Sequence, residues 1–256
     1  MPSPRHEGVS PCGEADDVLL TNLTLSLGTT QIYRDISLTL PGGRTTCLLG
    51  PSGVGKSSLL RQIAGLVTGD GQVSIGNQHR SNPLPQIAYM GQTDLLFPWL
   101  TAMENVLLGA RLRRQKPDTE RAQQLLTSVG LPGVGQQRPD TLSGGMRQRV
   151  ALARTMMENR SIILMDEPFS AVDALTRRRL QDLTADLLAD RTILLVTHDP
   201  WEAIRLGHKI VVMSGPEAAD LHDLPVPSGE IPRSEHAESS VSLHAALLRH
   251  LMVPGA

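Results

Sequence analysis

Apolar and polar positions begin to alternate near Val18 and keep a period of two through residues 18–27 and 31–40, most visibly at Ile36, Leu38 and Leu40. Side chains of a strand point to opposite faces in turn, so both stretches are expected to be strands buried on one face only, an antiparallel portion at the front of the chain. Pro41-Gly42-Gly43 turns the chain into an apolar, β-branched run at 45–49, which predicts a buried strand. Leu59, Leu60 and Ile63 then follow helical spacing, and short strands are expected at 72–75 and 87–90. The middle third changes character. Residues 101–114 and 118–129 carry helical leucine spacing, Gly130 and Gly133 act as stop signals, and a third helix is expected over 143–158. From Ile162 onward strand and helix alternate, with strands at 162–165, 192–196 and 210–213 and helices at 174–189 and 199–206. Asp199 is expected to cap the last of these helices, with Pro200 in its first turn, Glu202 as capping-box partner and Gly207 at its end. A Pro-rich stretch from Gly215 leads to Pro232, and an amphipathic helix is expected at 241–251. This order implies an α/β core with a helical insertion.

Composition narrows the class only a little. A chain of 256 residues with 40 % hydrophobic and 20 % charged residues is ordinary for a globular protein. Its formal net charge of −2, with Lys and Arg spread along the chain, gives no footprint for nucleic acid. The run Arg177-Arg178-Arg179 lies among Asp173, Asp182 and Asp186 and reads as a solvated, ion-paired helix face. Cys12 and Cys47 stand in unlike settings, so no disulfide framework follows. Residues 1–16 are rich in Pro, Gly, Ser and charge and are expected to form a disordered leader; no run is long and apolar enough to cross a bilayer. A cytoplasmic protein is expected.

Chemistry enters with Gly50-Pro51-Ser52-Gly53-Val54-Gly55-Lys56-Ser57, which fits the phosphate-binding pattern of glycine, four free positions and Gly-Lys-Ser. A predicted strand precedes it and a predicted helix follows, which is the context the pattern needs. Glycines let successive backbone N–H groups face a phosphate, and a helix N-terminus adds its positive end. Lys56 is expected to reach the β- and γ-phosphates, and the Ser57 hydroxyl to coordinate magnesium. Four apolar residues followed by Asp166-Glu167 form the second half of such a site. Asp166 is expected to hold Mg2+ through water, and Glu167 to orient or deprotonate the water that attacks the γ-phosphate.

Leu142-Ser143-Gly144-Gly145-Met146-Arg147-Gln148-Arg149 makes the reading specific. It resembles the signature of the ATP-binding cassette (ABC) family, and the chain from about Val18 to Met213 follows the family's order of loops. The resemblance implies a P-loop NTPase core with an antiparallel β subdomain and a helical insertion subdomain: a cassette over 17–215, its insertion at about 93–158, and a tail from 216 to 256. ATP would be held by residues 50–57, Ser58 and Gln92, and magnesium by Ser57, Gln92 and Asp166. Asp173 falls in the stretch similar to the family's Asp loop, and His198, after the apolar run at 192–197, takes the place of its switch histidine; Glu167 and His198 are the catalytic residues the resemblance implies. The resemblance implies a homodimer in which Ser143, Gly144 and Gly145 contact the ATP of the partner subunit.

Two positions depart from the pattern. Met146 stands where the signature usually has Gln, and Leu27-Gly28 where an aromatic ring usually stacks on adenine; Tyr33 lies several residues further on. Phe97 and Trp99 cluster in a chain with only 2 % aromatic residues. They suit either the core of the insertion or, as the resemblance implies, a surface near residues 92–100 where transmembrane permease subunits dock. The whole is similar to ATPase subunits of nitrate, sulfonate, taurine or hydroxymethylpyrimidine-type importers, which sit on the inner face of the cell membrane and work with a periplasmic solute-binding protein through the permease. Soluble cassette ATPases of DNA repair or translation, or a non-catalytic nucleotide clamp, are the alternatives. Such soluble proteins usually carry two cassettes or a long coiled coil, and Glu167 and His198 argue against a dead clamp.

Overall fold

The computed structural model describes residues 15–76, 78–79, 86–214, 220–226 and 229–252. The expected leader, except Ala15 and Asp16, lies outside these residues, as does Cys12. The alternating strands β1 (Val18–Leu27) and β2 (Thr30–Leu40) pair antiparallel, and β4 (Asp70–Ile75) and β5 (Gln78–His79) complete a four-stranded antiparallel sheet in the order β2-β1-β4-β5. A second sheet runs β10-β9-β3-β8-β7-β6. Its members β3 (Thr45–Leu49), β6 (Ile87–Met90), β7 (Ile162–Asp166), β8 (Thr192–Val196) and β9 (Lys209–Ser214) are mutually parallel.

Parallel strands covered on both faces read as unbroken apolar runs, and β3, β7 and β8 are buried at every position. Their alternation survives in what each face meets. Cys47, Leu49, Ile163, Met165 and Leu195 face one core, shared with the helical insertion. Leu48, Leu164, Leu194 and Val196 face another, shared with α1 (Lys56–Ile63) and the antiparallel sheet. The two half-cores weld the three parts of the chain onto one sheet.

Four expectations need correction. The single helix at 101–114 is two, α2 (Ala102–Val106) and α3 (Leu108–Leu112), because α2 buries Ala102, Met103, Asn105 and Val106 whereas α3 buries nothing and turns away to abut Glu158. In the stretch read as Pro-rich tail, β10 (Asp220–Leu224) pairs antiparallel with β9; its two leucines in five residues were too weak a pattern without the partner strand. The last helix, α8 (Glu238–Met252), starts earlier than its apolar spacing predicts. It packs on α7 (Pro200–Leu206) through buried Leu243 and Leu247 and a His244 ring stacked 4.2 Å from Trp201. Finally, the capping box at Asp199 and Glu202 does not form. Asp199 Oδ1 accepts from Trp201 N at 2.9 Å as a cap, but Asp199 N–H already donates to Thr197 Oγ1 at 3.0 Å. Glu202 turns instead to Thr197 Oγ1 at 2.6 Å.

His208 brackets the start of β3: its Nδ1 accepts from Thr45 N at 3.0 Å, and its own N–H donates to Thr45 O at 2.7 Å. Burial, with Arg44 and Arg233 adding to it, pushes the imidazole below its ordinary pKa. The folded chain thus binds fewer protons here than the unfolded one. The stability it contributes is complete above the ordinary value of about 6.5 and is lost as pH falls toward the folded value. Thermal unfolding of wild type between about pH 7 and about pH 5 should lose stability more steeply than His208→Gln; parallel slopes would refute the assignment.

Candidate functional site

Four neighbouring parallel strands, β3, β8, β7 and β6, deliver the predicted residues from their C-terminal ends: the phosphate loop, His198, Asp166-Glu167 and Gln92 respectively. This is where an open α/β sheet binds ligands.

The loop after β3 owes its shape to glycines with positive φ. Gly50 (φ 152°) runs so close to Met213 O that a Cβ would lie 2.3 Å from it, and Gly55 (φ 110°) would meet Ile32 Cγ2 at 2.9 Å. Gly55 is also the N-cap of α1 and brings no capping side chain, so the first turn at Lys56, Ser57 and Ser58 directs its N–H groups out of the helix end. Lys56 is buried, and its Nζ donates to Gly50 O at 2.8 Å and Pro51 O at 2.7 Å. Burial lowers the Lys56 pKa, and the carboxylates of Glu167 and Asp166 oppose that shift.

Asp166 closes β7 at 1 % exposure, and neither carboxylate oxygen has a hydrogen bond of good geometry in the protein. Burial raises its pKa, while the nearby Ser57 hydroxyl draws it down. An orphaned buried carboxylate beside a phosphate loop fits a divalent cation: paired hydroxyl and carboxylate oxygens suit magnesium. Glu167 follows in a left-handed conformation (φ 50°), anchored by its N–H to Val196 O at 2.9 Å. Its two carboxylate oxygens meet different partners. Gln92 Nε2 donates to Oε2 at 3.3 Å, and His198 Nδ1 lies 3.3 Å from Oε1.

Behind His198 stands a network that sequence reasoning missed. Buried Glu202 holds Thr197, and Arg177 reaches Asp199 at 3.5 Å, Glu202 at 3.8 Å and Val172 O at 3.3 Å. The arginine run therefore contributes an ion pair that links the segment after β7 to the segment after β8. Asp173 caps α6 (Ala174–Leu187) by accepting from Thr176 N at 3.0 Å, and this bond holds its carboxyl below the ordinary range.

The signature forms the N-terminus of α5 (Gly144–Met157), with exposed Ser143 as N-cap accepting from Met146 N at 3.2 Å. No hydrogen bond or ion pair among the described residues joins Ser143, Gly144 or Gly145 to the chain's own phosphate loop. Met146 packs against the apolar core. Tyr33, considered for the adenine base, is fully buried with its hydroxyl donating to Gln62 Oε1 at 2.6 Å, so it is a core residue. Leu27 is 54 % exposed.

Residues 92–101 are held from two sides. Asn105, fully buried, donates to Phe97 O, Leu100 O and Thr101 O and accepts from Phe97 N at 2.8 Å. Arg147 pairs with Asp94 at 3.1 Å, and Arg154 donates to Asp94 O and Leu95 O. The seven-residue separation of Arg147 and Arg154 on one helix is the only sequence signal that could have announced this clamp. Within the clamp Trp99 remains 65 % exposed and Phe97 38 %, their rings 5.1 Å apart, so Trp99 is no core residue.

Comparison with known proteins identifies the family. The ABC transporter family profile matches residues 33–170. A Haemophilus influenzae protein described as an uncharacterized ABC transporter ATP-binding protein is 42% identical over 238 residues, covering 91% of this chain and 98% of that one. An aliphatic sulfonates import ATP-binding protein of Paracoccus denitrificans is 38% identical over 251 residues, 97% of either chain, and a taurine import ATP-binding protein of Pseudomonas aeruginosa is 44% identical over 200 residues, 76% of either chain. Among solved structures, a dimeric ATP-binding cassette in a post-hydrolysis state bound to ADP and Pi superposes with a TM-score of 0.72 at 30% identity, covering 81% of this chain and 99% of that one. By this family match over more than half of the chain and by relatives aligned over nearly its whole length, the chain belongs to the ABC transporter family as an ATP-binding subunit.

Proposed function

We propose that this chain hydrolyses ATP as a homodimer to drive a bacterial importer, peripheral on the inner face of the membrane, for a small solute of the sulfonate or taurine kind. The observation that carries the proposal is Glu167, with Gln92 on one carboxylate oxygen and His198 on the other. Relatives named as taurine and aliphatic sulfonates import ATP-binding proteins support the importer and its solute class, and no helix among the described residues is long and apolar enough to cross a membrane. Separately encoded permease subunits would then carry the solute, supplied by a periplasmic binding protein. Nothing comparable favours DNA repair or translation.

In this reading residues 50–58 wrap the phosphates, Lys56 leaves its loop carbonyls for the β- and γ-oxygens, and Ser57, Asp166 and Gln92 would hold Mg2+, which would neutralise phosphate charge when bound. Glu167 takes the proton of the water that attacks the γ-phosphorus. The bond to the β,γ-bridging oxygen breaks, and ADP and phosphate leave. His198 orients Glu167 and the γ-phosphate. Ser143, Gly144 and Gly145, which no hydrogen bond among the described residues ties to this chain's own loop, grip the γ-phosphate held by the partner, a second helix N-terminus closing on the same anion. Support for the dimer comes from the dimeric form of the similar cassette.

The permease face is proposed at residues 92–100. Leu95, Phe97 and Trp99 are exposed there, and Arg154, which donates to Leu95 O, also lines a groove of about 330 Å³ with Tyr89, Leu108, Leu112, Arg113 and Glu158. Exposed aromatic anchors suit contact with a docked helix. Because Arg154 lines the groove and also holds Asp94 and Leu95, a docked helix would bear directly on the loop that carries Gln92.

Glu167→Gln should bind ATP with near wild-type affinity, accumulate as an ATP-bound dimer on gel filtration, and turn over at least about a hundredfold more slowly, since the amide keeps the shape and loses the base. Turnover near the wild-type rate would remove Glu167 from the chemistry. Trp99→Ala should leave the melting temperature of the isolated subunit nearly unchanged, within about 0.5 kcal/mol of stability, and abolish capture of the cognate permease. A mutant that unfolds, or that still captures the permease, would end the docking assignment. With Tyr33 in the core and Leu27 unable to stack, competition binding should find ATP and GTP within about tenfold of each other, because a stacking ring is worth about 1–3 kcal/mol. A strong ATP preference would show that another group reads the base.

A further inference from the structure

One side chain of α5 ties the signature to the catalytic carboxylate of the same subunit. Gln148, five residues after Ser143, is buried. Its amide is spread over three groups of the segment that follows β7: Nε2 donates to Glu167 O at 2.9 Å and to Ser170 Oγ at 3.2 Å, and Oε1 accepts from Ala171 N at 2.8 Å. Both donors and the acceptor of the amide are used. The carbonyl of Glu167 is the focus of the set, because Ser170 adds its own Oγ at 3.0 Å and its N–H at 3.3 Å. A non-glycine residue at φ 50° persists only where its surroundings over-determine it, and these donors, with the Glu167 N–H anchored on Val196 O, supply that constraint. The same turn of α5 lies against the same segment at Gly145, where a Cβ would come within 2.8 Å of Ala171 O. Glycine lets the two backbones touch there, so the first turns of α5 cannot shift without moving residues 167–171.

We propose that Gln148 is a positioning residue that couples the two nucleotide sites of the dimer. The inference rests on the ATPase reading above, in which the signature of one subunit grips the partner's ATP while Glu167 acts on the subunit's own. A γ-phosphate at the signature fixes the N-terminus of α5. Gln148 passes that position to the Glu167 carbonyl and sets the direction of the carboxylate between Gln92 and His198. Each site becomes competent when the opposite one is filled.

The test compares the wild-type chain with Gln148→Met, which keeps length and volume without hydrogen bonds, and Gln148→Glu, which keeps the acceptor for Ala171 N and loses both donors. Melting temperature, steady-state ATP turnover, and ATP-driven dimerisation in the Glu167→Gln background are measured for each. Both variants should fold and dimerise with ATP as the parent does. They should lose about tenfold or more in kcat with KM within about twofold, and the sigmoidal dependence of turnover on ATP should become hyperbolic. An equal loss in both assigns the effect to the Glu167 carbonyl and Ser170 rather than to Ala171. Turnover that stays near wild type and sigmoidal in the variants overturns the coupling, as does a hyperbolic wild type. Loss of ATP-driven dimerisation in the variants also overturns it, because Gln148 would then only support the signature. A wild type with no ATP turnover at all would instead defeat the ATPase reading itself, and that result is read before any variant is compared.

Discussion

Parallel pairing in the six-stranded sheet is the constraint on which the rest depends. Strands that run the same way must all end at one edge, and the in-register ladders β3 to β8, β8 to β7 and β7 to β6 bring four chain exits side by side there. The phosphate loop, His198, Asp166-Glu167 and Gln92 are separated by up to about 150 residues of chain, yet the ladder spaces neighbouring exits at roughly the 4.8 Å of adjacent strands. Burial on both faces makes that geometry stiff. Slipping one strand by a residue would exchange side chains such as Leu48 and Leu49 between the two half-cores, so register is strongly specified.

On this rigid edge the protein concentrates arrangements that elsewhere would be unfavourable. Asp166 is buried with neither oxygen in a hydrogen bond of good geometry, Lys56 is buried among loop carbonyls, and Glu167 sits at positive φ. Each costs free energy in isolation, and the proposed polyanion with its cation is the ligand that would offset those costs. Opposite shifts follow from one cause. Burial disfavours charge on both groups, lowering the Lys56 pKa and raising that of Asp166, while their mutual attraction works against it.

Helix α5 serves three neighbours at once. Its N-terminus presents the signature, its Gln148 grips residues 167–171, and its Arg147 and Arg154 hold residues 94 and 95 beside the exposed Trp99. Such a helix has no wholly free face, which accounts for the weak amphipathic contrast of its sequence. Asn105 completes the hold on the exposed loop from the insertion side, with one amide answering four backbone groups. The surface proposed for the permease and the loop carrying Gln92 are therefore parts of one hydrogen-bonded unit.

Local pattern was enough for most elements. The period-two runs of β1 and β2, the apolar runs of β3, β7 and β8, and the glycine pattern at 50–57 each state a backbone preference that the fold obeys. The placing of Asp166 and Glu167 at a strand end and of Ser143 at a helix N-terminus was legible too, from the apolar run before the carboxylates and the Ser-Gly-Gly before the helical spacing. Partnership was not legible, because it is set by distance in space. Nothing around Tyr33 tells that its hydroxyl finds Gln62 and that its ring lies in the core, nor around Glu202 that Thr197 draws it out of a capping box. The five residues of β10 become a strand only because β9 offers an edge. Gln148 reads in sequence as one polar position on a helix, and packing α5 against the end of β7 turned it into the contact between signature and carboxylate. The chain determined by itself which backbone each stretch adopts and which chemistry it can offer. Which polar groups meet was decided by tertiary structure, since a buried donor or acceptor must be satisfied by whatever the fold sets within hydrogen-bond reach.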